Sequence, residues 1–375
     1  VVLTADAAKA AAAWARAAAI VDAPTHAAER ETWRARARLA LQWLEAPQPT
    51  SPVIFNGFAY GSPHPEEPPA GLPTTDLLMV LEAECALAGQ PHSPAAVRWA
   101  NELCARQVTR AEAQDAYYGM FRQFPDSTLT AKAWTHGMLA DGQLPTDLGN
   151  THGLYLFPLL RLAVSSKPHP DQGRWRDALH AFAYGYFLPA ARLNPFDLCP
   201  NGHFPGHGPL NFAGLWHGAN TMYGLAAALA WEFAEFFEDP AFGELATGNL
   251  QWIAGLNAGI TRDTMARSIL CEANVPVGAA VPVSMIHGIG TRTAGSWLNI
   301  RGSICNGFSV GEQFQWDVPP LRAADGPHAF TDEDWITHAG GWLTALARMP
   351  RAAAIDRLPG AAPALESPDL SSSNP

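Results

Sequence analysis

Positive charge is scarce in this chain: 375 residues carry only 24 Lys and Arg against 35 Asp and Glu, a formal net charge of −11. Nucleic-acid and anionic-membrane surfaces need clustered Lys and Arg, so no nucleic acid and no membrane is expected as a main partner. Neutral or cationic ligands fit the balance. Cysteine is scarce too. Cys85, Cys104, Cys199, Cys271 and Cys305 are odd in number, far apart and without any C-x-x-C spacing. That pattern indicates neither a disulfide framework nor a thiolate zinc site and leaves buried thiols. No stretch reaches the roughly 18 unbroken apolar residues of a membrane helix. The opening VVLTADAAKAAAAWARAAAI is interrupted by Asp6, Lys9 and Arg16, so it reads as a helix and not as a signal peptide. It also lacks an initiating methionine, from which the chain is expected to begin inside a longer protein. Nothing in it assigns a compartment or an oligomeric state.

Familiar catalytic signatures are missing as well. There is no G-x-S-x-G and no P-loop, and Gly288-x-Gly290 does not open a helix after a strand, so no dinucleotide or other cofactor is expected. His203 and His207 are four apart, yet Pro205 and Gly206 between them exclude a helical metal pair, and no metal is expected.

What the chain has is apolar periodicity. Hydrophobic residues make up 48 % and the mean hydropathy is −0.05, the balance of a globular chain with a large core in one large or two smaller domains. The stretch from Leu210 to Asn257 organises the rest. Met222, Leu225, Ala226, Leu229, Phe233 and Phe236 recur at helical spacing, as do Phe242, Leu245, Leu250 and Ile253. Glu238-Asp239-Pro240 separates the two runs, with proline at a first helical position, and Gly255 closes the second. Trp216-His217-Gly218-Ala219-Asn220 stands at the start of the first helix, a favourable place to meet a polar ligand.

The same rhythm runs along the chain. Helices are expected at about 5–21 and 28–46, with Thr25 as a cap, then 77–88 capped by Thr74-Thr75-Asp76, and another ending near Gln107. Further helices are expected at about 129–140, 152–165, 173–190 and 332–348. Two segments break the rhythm. Residues 47–73 form a loop rich in proline and glycine, too long for a plain connector. Residues 259–331 are punctuated by Gly288, Gly290, Gly295, Gly302, Gly307 and Gly311 and form a long irregular segment of the kind that lines a site. Residues 351–375 read as a polar, disordered tail, leaving 1–350 as the folded domain. About ten helices in alternating pairs, with no βαβ unit, give an all-α fold of consecutive hairpins.

Four ordered motifs resemble one family. WHGAN…LAAALAWEFAEFFEDPAFGELATGNLQWIAGLNAG is similar to the W-G-S-N…A-x-x-L-T-G-D…Y-I-L-G-x-N-P region of the six-hairpin glycosidases, specifically the family-nine glycoside hydrolases. SMIHGIGTRTAGSWLNIR resembles their V-x-G-F-G…P-H-H-R segment, with Gly288, Gly290 and Arg301 at matching places. Ser303 to Gly307 resembles their G-G-P-N turn, and DEDWITHAGGWLTALA the helix headed by Y-x-x-N-E. The resemblance covers about the last 140 residues well and the earlier part only by helical rhythm. It implies an (α/α)6-type toroid, here lacking its first hairpin unless a pair goes unseen, and a carbohydrate substrate.

The departures fall on the chemistry. The family's catalytic glutamate aligns with His338, its D-A-G-D motif is absent, and its two histidines are replaced by Asn299 and Ile300. A glycosidase needs a carboxylic acid and a carboxylate across the scissile bond. The candidates are Asp147, Glu333, Asp334 and His338. Asp332, Glu333 and Asp334 also read as first-turn carboxylates favoured by the helix dipole, Asp76 as a cap, and Asp147 as part of a turn before His152. Trp216, His217, Asn220, His287, Arg292, Arg301, Trp335 and His152 are the expected substrate-binding groups, tryptophan as a stacking face and histidine as donor and acceptor. Three functions remain open: a glycoside hydrolase, a polysaccharide lyase or sugar epimerase using histidine and tyrosine, and a non-catalytic carbohydrate-binding relative.

Overall fold

The computed structural model describes residues 4–22, 24–46, 72–89, 92–122, 125, 156–194, 196–200, 202–204, 208–210, 220–256, 284–286, 302–309, 329–334 and 336–350. Among them helix dominates and strand is confined to two short two-stranded ribbons, which makes the architecture all-α. No helix among the described residues is long and apolar enough to cross a membrane.

Alanine builds the first hairpin. In α1 (Thr4–Ile20) Ala8, Ala11, Ala15 and Ala18 are buried along one face. Their small side chains let α1 lie close against both α2 (Ala27–Glu45) and α3 (Thr74–Leu87). The start of α2 corrects the cap expectation: His26 holds the N-cap position without a side-chain bond, and Thr25 instead donates to Asp22 at 2.9 Å. Ser93 caps α4 (Pro94–Ala105), accepting the Ala96 N–H at 3.1 Å, with Pro94 in the first turn.

Helix α3 is the centre of this half. Every residue from Thr74 to Ala83 is buried, with α1, α2, α4 and α5 (Phe157–Val164) packed around it. A helix covered on all sides must be apolar or have its polar groups partnered. Glu82, 1 % exposed, meets Arg16 of α1 at 3.3 Å and Arg161 of α5. Arg106, equally buried, donates to the Leu72 carbonyl at 2.7 Å and the Thr74 hydroxyl at 3.1 Å and pairs with Glu102. Asp76 does not cap α3, because the helix already starts at Thr74. It lies inside the first turn at 1 % exposure, within electrostatic reach of Lys9.

The helix expected at 173–190 is interrupted. α6 (Gln172–Phe182) passes into a single π-helical turn, Ala183–Phe187, before α7 (Leu188–Ala191). The periodicity of apolar residues survives this extra residue per turn, which is why the sequence reads as one helix. Strands β1 (Gly202–Phe204) and β2 (Gly208–Leu210) then pair antiparallel.

The central hairpin forms as its sequence dictates. Asp239 accepts the Ala241 N–H at 2.9 Å and Pro240 opens α9 (Pro240–Ala254) after α8 (Asn220–Phe236). Gly255 closes α9 with φ +127°, a conformation that suits glycine. Phe233 packs edge-on against Phe242 at 5.5 Å between centroids, so the two helices share an aromatic seam.

Beyond α9, the described residues of the segment expected to be irregular are not helical but include strand. Ile286 bridges Ile304, and β3 (Cys305–Ser309) pairs antiparallel with β4 (Ala329–Asp334). β4 overturns the expected helix at 332–334. The acidic run closes a strand, and α10 (Ile336–Arg348) begins only after it. Cross-strand pairing with residues 305–309 takes these carboxylates out of the first-turn position that the dipole argument gave them.

α10 crosses α8 closely through glycine. A Cβ on Gly341 would fall under 3.0 Å from the Thr221 carbonyl oxygen, and one on Gly224 equally close to the Gly341 backbone. Gly341→Ala is therefore expected to force the pair apart and cost about 1–3 kcal/mol, read as a lower urea midpoint with an unchanged slope. A midpoint equal to the parent's would mean the crossing relaxes freely.

Candidate active site

Two clusters of polar groups stand out, and the sequence analysis reaches only one of them. The first lies where α8 and α10 begin. The Thr221 N–H, an orphan of the first turn of α8, is accepted by His338 Nδ1 at 2.9 Å, and the Thr221 hydroxyl lies 2.6 Å from the same nitrogen. Accepting an N–H leaves Nδ1 without a proton and assigns the ring proton to Nε2. Asn220 donates to the Cys305 carbonyl at 2.6 Å and to the Met285 sulfur at 3.1 Å. Met285 in turn accepts the Cys305 N–H at 3.0 Å, and its own N–H meets Ile253 O at 3.0 Å. Four segments distant in sequence thus meet within one largely buried network of side chains and backbone: 220–221, 284–286, 304–305 and 337–338.

Those segments carry the motifs behind the expected site, and Asn220 and His338 are the two expected residues the network brings together. Both are 1 % exposed. The backbone of Glu333 and Asp334 is placed in β4; their side chains lie outside the described residues. Asp147, His152, Trp216, His217, His287, Arg292, Arg301 and Trp335 also lie outside the described residues.

The second cluster escapes any linear reading. His203 on β1 is 6 % exposed, and its Nε2 lies 2.7 Å from Oδ2 of Asp115, which is 88 residues earlier in the chain. The rings of Tyr117 and Tyr186 flank the imidazole at 6.1 and 6.3 Å between centroids. Burial, and then the Asp115 charge, push the Tyr117 hydroxyl above its ordinary value. A carboxylate on Nε2 fixes the orientation of the imidazole, and a histidine so held is a candidate for proton transfer.

The scaffold of this cluster is built from the chain upward. Residues 106–122 form a loop pinned onto α6 by Gln107, whose amide donates to the Gly119 carbonyl at 2.8 Å and the Ala178 carbonyl at 2.7 Å. Gly119 has φ +89°, and any Cβ there would lie under 3.0 Å from Ala181 O. The π-turn gives the loop its second anchor: Tyr118 N–H donates to Gly185 O at 3.1 Å, and a Cβ at Gly185 would come within 2.6 Å of the Tyr118 carbonyl oxygen. Single π-turns inside α-helices are common at functional sites. Here the turn carries Tyr186 and seats the loop that brings Asp115 and Tyr117.

Glu112 closes the loop on itself. It accepts the Thr109 N–H at 2.9 Å and the Thr109 hydroxyl at 2.7 Å, and it takes an ion pair from Arg122 at 3.0 Å. The two bonds from Thr109, then Arg122, draw its carboxyl down from 4.5 to about 2. A lowered acid contributes stability above its ordinary value and loses it as the pH falls through the folded one. The Glu112 carboxyl carbon is therefore expected to titrate with a midpoint near 2 in an NMR pH series, and the loop's amide protection to fade between pH 4.5 and about 2. A midpoint at 4.5 would mean that the pin does not exist in solution.

The chain matches no protein-family model and no curated protein.

No group of three or more His, Cys, Asp or Glu that could hold a metal occurs among the described residues. Cys85, Cys104, Cys199 and Cys305 are free thiols, and burial pushes those of Cys85 and Cys104 up to about 12, unsuited to nucleophilic work. Cys271 lies outside the described residues.

Proposed function

We propose that the protein is a carbohydrate-active enzyme on a toroid of helical hairpins that cleaves glycosidic bonds in an oligosaccharide or polysaccharide by general acid/base catalysis, as a glycoside hydrolase does. The observation that carries this reading is the meeting of 220–221, 284–286, 304–305 and 337–338 in one buried network. Four short motifs that resemble a glycosidase in order and spacing would scatter if the resemblance were accidental, whereas these segments converge. The acid is then His338 or a carboxyl from Glu333 or Asp334, and the base Asp147. Trp216, His217, Asn220, His287, Arg292, Arg301, Trp335 and His152 hold the sugar.

A second reading has its own support. Asp115, His203 and Tyr117 make a proton-transfer set without a second carboxylate, which suits abstraction of a proton beside a carbonyl and hence a polysaccharide lyase or a sugar epimerase.

Product analysis separates the two. Neutral, amino and uronate polysaccharides are incubated with the protein, and new reducing ends, ultraviolet absorbance of an unsaturated sugar, and epimer signals by NMR are followed. Reducing ends alone support hydrolysis, unsaturated ends elimination, and new epimers epimerisation. Binding without any turnover means a carbohydrate-binding relative. For the hydrolase, Glu333→Gln, Asp334→Asn and His338→Ala are compared on natural and aryl substrates. Loss of the true acid is expected to lower the rate on the natural substrate about 10²–10⁴-fold and much less on the aryl one, whose leaving group needs little protonation. Full turnover by all three on both substrates would put the acid elsewhere.

A further inference from the structure

A separate concavity of about 520 Å³ runs along α9, lined among others by Phe196, Asp197, Trp231, Glu244, Thr247 and Gln251. That volume is within the roughly 300–1,000 Å³ of small-molecule sites. Two glycines of α9 let the walls of the groove close onto the helix. Gly243 and Gly248 both line it; a Cβ on Gly243 would touch the Trp231 ring at 3.3 Å, and one on Gly248 would collide with the Phe196 carbonyl.

Its opposite wall is locked by two buried amides. Asn194 donates to the carbonyls of Ala191 and Leu198 and accepts the N–H groups of Phe196 and Leu198, all at 2.9–3.1 Å. Asn249 accepts the Cys199 N–H at 3.1 Å and donates to Asp197 O and Leu245 O, both at 2.8 Å. Both amides thereby tie one turn to the helices beside it, and that turn carries Asp197, a non-glycine residue at φ +53°. The rim so fixed offers an indole, two carboxylates, a hydroxyl and an amide, and none of its lining residues is cationic. Arg192 meets Glu244 at 3.3 Å from outside that lining.

We propose that this groove binds a hydroxyl-rich sugar ring that is neutral or carries an amino group. Trp231 takes the apolar face of the ring, and Asp197, Glu244 and Gln251 accept from its hydroxyls or ammonium. The carboxylates turn away uronate and sulfated sugars by like-charge repulsion. The ligand class agrees with the function proposed above, but it is set by residues outside both polar clusters.

The test titrates the full chain, by calorimetry, with short oligosaccharides of glucose, of glucosamine and of galacturonate. Binding of the glucose or glucosamine oligomer and not of galacturonate is expected; which of the first two binds tighter separates hydroxyl from ammonium recognition. Trp231→Ala should weaken binding about tenfold. Thr247→Arg fills the groove from an exposed helical position, where folding tolerates it, and should abolish the binding event that belongs to the groove. No binding of either neutral or amino oligomer by the parent, equal binding of galacturonate, or unchanged binding in both Trp231→Ala and Thr247→Arg would overturn the proposal. A parent that turns over no polysaccharide yet loses binding in Thr247→Arg would sink the enzymatic reading and leave the groove standing.

Discussion

His203→Ala should lower turnover about 10²–10⁴-fold if the Asp115–His203 pair is the acid/base of the reaction. The ring sits 2.7 Å from Asp115 between two tyrosines. Asp115 acts through the histidine, so Asp115→Asn should depress kcat while leaving KM close to the parent's. Tyr117→Phe keeps the ring and removes the hydroxyl. It should cost as much as His203→Ala in an elimination or epimerisation and little in a hydrolysis. Because His203 is almost wholly buried, each variant needs a melting curve beside its rates. Parent-like turnover in folded His203→Ala would remove the pair from the chemistry and return the search to His338, Glu333, Asp334 and Asp147.

The largest expected loss of stability comes from stripping Glu82 of its cations. Its side chain is 2 % exposed, while Arg16 and Arg161 are 42 % and 38 % exposed and reach it from α1 and α5. Arg16→Met with Arg161→Met keeps the covering hydrocarbon but leaves a carboxylate in the interior, at a cost of roughly 3–5 kcal/mol. Glu82→Gln should cost less, because both arginines can turn to water and the amide carries no charge. The order of urea midpoints, parent above Glu82→Gln above the double variant, is the check. The reverse order of the two variants would show that water reaches Glu82 and that α3 is not sealed.

Local structure was largely written in the sequence. Helical periodicity and Asp239-Pro240 with Gly255 placed the described helices and the hairpin to within a few residues, because these signals act between neighbours in the chain. Where the sequence misled, a tertiary partner outweighed a local preference. The acidic run before α10 became β4 because residues 305–309 offered it a strand to pair with, and Thr74 to Asp76 entered α3 because the surrounding helices bury that first turn. The π-turn at 183–187 was invisible, since one inserted residue barely disturbs an apolar rhythm.

The sites divide in the same way. The motifs marked Asn220 and His338, and the fold brought both into one network. Asp115 carried no mark, because a carboxylate acquires a role only from what faces it, and His203 arrives from 88 residues away. The groove on α9 was equally silent, because only tertiary packing lays Trp231 and Phe196 against Gly243 and Gly248. Sequence alone determined which residues could be helical, where helices stop and which charges are scarce, since these depend on contacts a few residues long. Which polar groups stand opposite one another was decided only by tertiary packing, because burial, distance and orientation between remote segments are properties of the closed chain.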